Sequence, residues 1–494
     1  MSMRIGGLAS GIDTDSIIKD LMKAERMPLD KMEQDRIKLE WQRDAFRDIN
    51  KTLLELDNMM LDMKMSNTYN SKQVTSTMEG AVSATATSSS TNGTYNIKVT
   101  ELASSAINVS TAEIGFGADE RLLNHVTTEN TISFVTYDAE GKANTPHVYE
   151  IGENDTLNDI IKRINDDPEN NVRMTFDNNT KKVIMETTRT GKYNTDGVQE
   201  IEFEGEFFTA LKLEQGKEDG GKNALFTYND NYTVESKENS YTLNGITFQF
   251  NNKTTENATL TVNNDVDASF DKIMAFVDKY NEVVETLNGS QQEERYRDYH
   301  PLTKEQMEEM SDKEIELWDE KAKSGLLKSE SAITSGLFDM RQSWYSTVNT
   351  AASGGQYSSL TQIGISTSSD YLDGGKLIVD EEKLRTSLQQ DPASVQKLLS
   401  NSSTGAERGL VNRLEDAVES TMKKINQRAG KGTDTLENYT LGKRMKDLNA
   451  RIGAFEDRLV QVENRYWKQF NAMEQAISMM NQQSAMLMSN FGGY

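Results

Sequence analysis

Cysteine is absent from this chain, so it can hold no disulfide framework, no thiolate nucleophile and no thiolate-bound zinc. Histidine is scarce: His125, His147 and His300 are scattered, with no i, i+4 pair, and read as surface residues rather than metal ligands or general bases. Five prolines are few for 494 residues. No run of roughly 18 apolar residues occurs, so no segment is expected to span a bilayer. The opening MSMRIGGLASGIDTDSI lacks the apolar core of a secretory signal peptide. The chain therefore either stays in the cytoplasm or leaves by a route that cleaves no signal. Positive charge is also short. Asp and Glu outnumber Lys and Arg by 78 to 54, and the net charge of -24 argues against nucleic acid or an anionic membrane as partner. Only 36% of residues are hydrophobic, which fits several slim domains with much exposed surface better than one globule. The glycine pairs Gly115–Gly117 and Gly430–Gly432 stand alone and read as turns, not phosphate cradles. No Asp-rich loop matches the calcium pattern, and nothing nominates a carboxylate pair, as a cell-wall hydrolase would need. The residues support no catalytic, metal or cofactor site.

What the chain does have is a heptad seam at each end. Phe46, Ile49, Leu53, Leu56, Met60 and Met63 recur at alternating steps of three and four, as do Leu441, Met445, Leu448, Ile452, Phe455, Leu459 and Val462. Such a seam demands a partner helix. We expect the two segments to pair with each other, so that the middle leaves the bundle as an insertion; the plainer reading is a simple bundle core. Asp13 or Thr14 caps an expected helix from Ser16 to about Arg26, which Pro28 should interrupt before a second helix from Leu29 to about Met65. Asp35 and Gln42 occupy seam positions, so residues before about 42 should be weakly held. The last helix, Leu441 to Leu487, would span about 70 Å. A stutter between Tyr466 and Phe470 locally unwinds its supercoil before Met473, Ile477 and Met480 resume the repeat. Before residue 42 and past Val462 intramolecular partners run short, and an intermolecular role is expected.

From Val74 to Val266 the texture is Thr, Ser, Asn and β-branched residues. KQVTSTM, GAVSATAT and GTYNIKVTEL read as strands, and YTLNGITFQF as a hairpin with a type I′ turn at Asn244-Gly245. DTLNDIIKRINDD reads as a short amphipathic helix, followed by strands VRMTF and KKVIMETT. Two β-rich head units are expected, one inserted in the other: residues 73–107 with 220–266, and 108–219. Helices return at Phe270. Thr303–Gln306 and Ser311–Glu314 have capping-box spacing, and the acidic run EQMEEMSDKEIELWDE reads as a solvated helix face. A further helix carries Ile333, Leu337, Met340, Trp344 and Val348. A hairpin turning at Asp373-Gly374-Gly375 follows, then short helices on either side of Asp391-Pro392. The fold class is α+β multidomain, a terminal coiled-coil or helical bundle with an inserted two-unit β-rich head.

Five segments in order carry a resemblance: IGGLASGIDTDSIIKDLMKAERMPLDKM, GTYNIKVTELASSAINVS, DTLNDIIKRIND through VIMETTRTG, HPLTKEQMEEMSDKEIELWDEKAKSGLL, and LTQIGISTSSDYLDGGKLIVDEEKLRTSLQQDPASVQKLL. Together they resemble the flagellar hook-associated protein 2 family, the filament cap proteins, over nearly the whole chain. The resemblance implies a non-enzymatic protein without cofactors, exported through the flagellar type III apparatus to the flagellum tip. There a homo-oligomeric ring would promote insertion and folding of secreted flagellin, next to hook-filament junction proteins. It maps legs onto residues 1–42 with 456–494 and a helical body onto 43–72 with 267–455. Implied filament or oligomer contacts are Ile5, Leu8, Ile12, Ile17, Leu21, Met32, Leu39, Leu459, Val462 and Phe470. An export chaperone would cover Ile477, Met480 and Leu487 in the cytoplasm. The alternative is a secreted adhesin, a helical stalk presenting its β head to a host surface glycan.

Overall fold

The computed structural model describes residue 11 and residues 13–491, with side chains as far as Met488. The described chain forms two compact units, one from the residues through Tyr69 and from Phe270 onward, the other from Asn70–Ser269. In chain order the helices are α1 (Thr14–Lys64), α2 (Ser66–Tyr69), α3 (Leu157–Asn165), α4 (Glu206–Ala210), α5 (Val266–Gln292) and α6 (Lys304–Glu308). They continue as α7 (Asp312–Lys323), α8 (Ser331–Tyr345), α9 (Glu381–Gln390), α10 (Pro392–Ser400), α11 (Leu410–Ala429) and α12 (Thr440–Phe491).

In the helical unit, α1 begins at Asp13, whose carboxylate accepts the Ser16 N–H at 3.0 Å. It then runs unbroken through Pro28, which corrects the expected interruption. A proline inside a helix forfeits one backbone bond and crowds the preceding turn, a cost of about 3 kcal/mol. Next to it Leu29 is 2% exposed, and the Arg26 guanidinium reaches Asp30 across the proline at 3.1 Å. Burying a leucine is worth about 1.5–3 kcal/mol, which offsets much of that cost.

The pairing of the seams is also corrected. The stretch Phe46–Met63 packs for most of its length against α11, a helix the sequence reading did not identify, and only its first turn meets the start of the α12 seam, where Arg47 lies over the Tyr439 ring. The stretch and α11 run antiparallel. Arg47 donates to the carbonyls of Ala429 and Gly430, each at 3.2 Å, and of Lys431 at 2.8 Å, while Lys64 at the other end pairs with Glu415. The seam of α11 is Leu410, Leu414, Val418, Thr421, Ile425 and Ala429, all buried. One edge of this same stripe, at Ala417 and Thr421, packs on α8, where Gly336 faces Thr421. Helix α8 stops at Tyr345, so Val348 is buried beyond its end rather than within it.

The seam of α12 pairs instead with the earlier part of α1. The Tyr466 hydroxyl donates to Glu25 at 3.0 Å; Pro28 and Met32 lie across from Ala454, Phe455 and Arg458, and Leu39 across from Leu448. The stretch from Glu25 to Leu39 therefore has an intramolecular partner, contrary to the expectation for residues before 42. Gln42 is not a flaw in this seam: its amide donates to the Leu326 carbonyl at 3.2 Å and to Glu330 at 2.8 Å, and Arg428 reaches the same carboxylate. Both expected capping boxes are present, at Thr303 and Ser311. The expected hairpin pairs Ile365–Thr367 with Leu377–Val379, and its turn uses positive φ at Gly374 and Gly375.

The unit Asn70–Ser269 has two hydrophobic clusters. The first lines a five-stranded antiparallel sheet, with Lys72–Ser76, Ala258–Asn264, Gly93–Glu101, Ala224–Tyr228 and Tyr232–Ser236 in that order across it, and a three-stranded sheet of Ser240–Leu243, Ile246–Phe250 and Val82–Ala86. Its core includes Ile97, Val99, Phe226, Phe248 and Leu260. Asn244 and Gly245 take φ of 52° and 79°, the positive pair a type I′ turn needs. The second cluster draws on residues between Ile114 and Leu213. Its sheets are Ile107–Val109, Lys182–Thr187 and Val172–Asp177, and His147–Glu150, Thr131–Val135 and Glu202–Glu204. Helix α3, closed by a full capping box at Thr156 and Asp159, buries Leu157, Ile160 and Ile164 there.

Candidate assembly surface

The α1–α12 pair has an inner stripe, flanked by more exposed residues. On α1 the inner stripe steps by three and four from Ile18 through Leu29, both buried, to the half-buried Met32 and Leu39. The antiparallel register set by Tyr466 and Glu25 puts Leu29 opposite Val462 and Met32 opposite Leu459. Leu459 and Val462 are about 9% and 8% exposed, so of the expected contact residues these two are spent on the chain's own helix pair. Ile17 and Leu21 lie one position off the stripe and are 38% and 37% exposed, apolar edges free to meet another molecule. Phe470 is half-buried. Ile5, Leu8 and Ile12 lie outside the described residues. Ile18, Leu29 and the Tyr466–Glu25 bond were not singled out from the sequence, although the three-and-four spacing of Ile18, Leu29 and Met32 was there to be read.

Toward the end of α12 burial gives way to exposure. Ile477 is half-buried. Met480 and Leu487 are more than half exposed, and so are Met479, Met486 and Met488. Methionine side chains are flexible and polarisable, and a stripe of them adapts to surfaces of more than one shape.

Chemistry elsewhere is sparse. The three histidines are apart: His125 stacks on Phe116 at 4.0 Å and meets Glu120, His147 lies beside Thr136, and the His300 carbonyl accepts the Trp318 indole N–H at 2.7 Å. One acidic group escaped the sequence reading, because its members are 358 residues or more apart except within α11. Asp57, Glu415 and Glu419 can bring carboxylate oxygens within 4.8 Å of one another. Burial first, then the charge of Glu415, pushes the Asp57 carboxyl above its usual range, while Lys64 pulls it back. The lysine ammonium already seated on Glu415 supplies the positive charge this group calls for.

A model of the flagellar hook-associated protein 2 C-terminus matches residues 221–482, and a model of the N-terminus of the same protein matches residues 10–106. Flagellar hook-associated protein 2 of Halalkalibacterium halodurans is 39% identical over 536 residues, covering 99% of this chain and 100% of that protein. The protein of that name from Thermotoga maritima is 24% identical, with 98% of this chain and 95% of that one covered. Among solved structures, the D1-D2-D3 domains of the flagellar cap protein FliD from Escherichia coli superpose with a TM-score of 0.58 at 17% identity, covering 82% of this chain and 99% of that one; this shows a shared fold.

Proposed function

The chain belongs to the flagellar hook-associated protein 2 family, and on that premise we propose how it works as the cap at the distal tip of the bacterial flagellar filament. It is a structural protein of flagellum assembly, and its action is physical. Copies form a ring, and the ring admits each secreted flagellin and lets it fold into place. The legs are residues 1–42 with 456–494, the helical body is 43–72 with 267–455, and the head units are 73–107 with 220–266 and 108–219. The observation that carries this reading is the relative that is 39% identical in an alignment covering 99% of this chain and 100% of that protein.

A ring seated on a helical filament cannot make equal contacts at every subunit. The exposed edge of Ile17 and Leu21 on α1 and the methionine stripe of α12 suit that task, since soft side chains on a half-covered helix pair can repack against unlike neighbours. The same stripe supports a cytoplasmic stage, in which an export chaperone shields Ile477, Met480 and Leu487 before passage through the flagellar type III apparatus. Hook-filament junction proteins would be the first surface the ring meets. The relatives named above lend no support to the adhesin alternative.

The test is a strain deleted for this chain, complemented with the full-length protein or with one lacking residues 1–42. Full-length protein should restore filaments and stop the loss of monomeric flagellin to the medium. The truncated protein should keep cooperative melting of its body yet restore nothing. Normal filaments in the deleted strain would end the cap reading, and loss of the body's melting would end the division into leg and body.

A further inference from the structure

Beside the leg, the helical unit carries a groove of about 690 Å³ between α1 and α12 whose walls present Lys38, Arg295, Lys328, Lys443, Arg444 and Arg451. Asp35, Glu330 and Asp447 share it, but Glu330 is already held by Arg428 and Gln42. Six cations against three carboxylates is a marked excess in a chain whose net charge is -24. Lys38, Arg295, Lys443, Arg444 and Arg451 make no ion pair among the described residues. Burial, then the neighbouring Arg295 charge, pulls Lys38 below the usual lysine range, with Asp35 opposing. Leu39, Leu326 and Leu448 supply apolar surface between the charges.

The complementary surface is on the same unit. Residues 304–320 hold eight carboxylates and two lysines, a net charge of -6. Helix α7 is pinned through one face, by the Trp318 bond to the His300 carbonyl, the packing of Trp318 on Tyr299 and the burial of Ala322. Its other face, with Asp312, Glu316, Leu317 and Glu320, is exposed, and those three carboxylates form no ion pair among the described residues. On α7 Asp312 and Glu320 are separated by about 12 Å along the axis, and on α12 Arg444 and Arg451 by about 10.5 Å. Two acids can therefore meet two arginines at once, with Leu317 between them and 53% exposed in the single chain.

We propose that the outer face of α7 docks in the α1–α12 groove of a neighbouring copy. This deepens the ring reading above and rests on it. The two surfaces differ, so the contact is head-to-tail, the kind that closes into a ring when its rotation permits. It also gives the acidic α6–α7 segment a partner, where the sequence alone suggested a solvated face.

Two full-length variants test it, Arg444→Glu with Arg451→Glu, and Asp312→Lys with Glu320→Lys. All four side chains are exposed, so both variants should melt as the parent does. In sedimentation equilibrium the parent should self-associate, more weakly as salt rises, since exposed charges are screened beyond about 10 Å at 0.1 M. Each variant alone should lose association by about tenfold or more in Kd. An equimolar mixture should regain it, because each reversed groove then meets a reversed helix and each native groove a native helix. A parent that stays monomeric, a variant that associates like the parent, or a mixture no better than its parts would overturn the proposal. Failure of the parent to support filament growth in the deleted strain would instead remove the cap reading and leave this solution result standing.

Discussion

Gly336→Ala isolates the α8–α11 contact on which the helical unit is built. Mid-helix, alanine is favoured over glycine by about 1 kcal/mol, so on local grounds the change should stabilise. The structure reverses that sign. A Cβ built at residue 336 would lie 2.5 Å from the methyl and 2.6 Å from the hydroxyl of Thr421. Thr421 cannot easily yield: it is fully buried, and its hydroxyl donates to the Ala417 carbonyl at 2.7 Å. Overpacking of this kind costs about 1–3 kcal/mol, and the locked, β-branched neighbour puts this case at the upper end, leaving a net loss of about 2 kcal/mol. Thr421→Ala should relieve the clash, so Gly336→Ala added to Thr421→Ala should regain stability instead of losing it, a coupling of about 3 kcal/mol. Urea unfolding of the four chains, with equal m values, reads the cycle. A Gly336→Ala chain as stable as the parent, or two substitutions whose effects simply add, would refute the packing argument.

Two further outcomes are expected. Glu218 accepts backbone N–H groups from Glu200 and Ile201, yet burial pushes its carboxyl up to about 7, against those two donors and with the charges of Glu200 and Glu202 adding. The folded chain thus holds a proton that the unfolded chain has released, so this group's contribution is fully present below about pH 4.5 and is lost as pH rises through about 7. The full linkage is about 3 kcal/mol; solvent screening of a partly exposed group reduces it to about 1–2 kcal/mol. Calorimetry of the chain and of Glu218→Gln across this window should show the parent losing more stability on alkalinisation, and identical slopes would contradict the assignment. Leu29→Ala should cost about 2–3 kcal/mol, but locally: amide exchange should quicken across residues 14–42 of α1 while α11 keeps its protection. Uniform loss of protection would mean that the leg is not separable from the body.

Local features of the chain were legible without its fold. The Asn244-Gly245 hairpin, the capping boxes at Thr303 and Ser311, and the amphipathic α3 each depend on residues close in sequence, and each formed where the residues called for it. The order of five family-like segments likewise pointed to the filament cap family from residues alone. Helix α11 went unread although Leu410, Leu414, Val418 and Ile425 carry an apolar stripe; what the sequence alone could not account for is the small residues that interrupt it. Thr421 and Ala417 stand where a hydrophobic scan looks for leucine, and small residues make sense there only once Gly336 is known to lie opposite. Pro28 argued for a break that the helix does not show, since the compensating burial of Leu29 comes from a segment more than four hundred residues away.

The sequence by itself determined that each end of the chain is a helix with one apolar stripe, because a three-and-four repeat is a property of the residues on that helix alone. Which helix covers which stripe was decided only in three dimensions. A stripe requires apolar cover but does not choose it; the choice depends on the summed fit of all the helices competing for the same face. Here α11 took most of Phe46–Met63, α12 slid onto the earlier half of α1, and the end of α12 was left with its methionines uncovered.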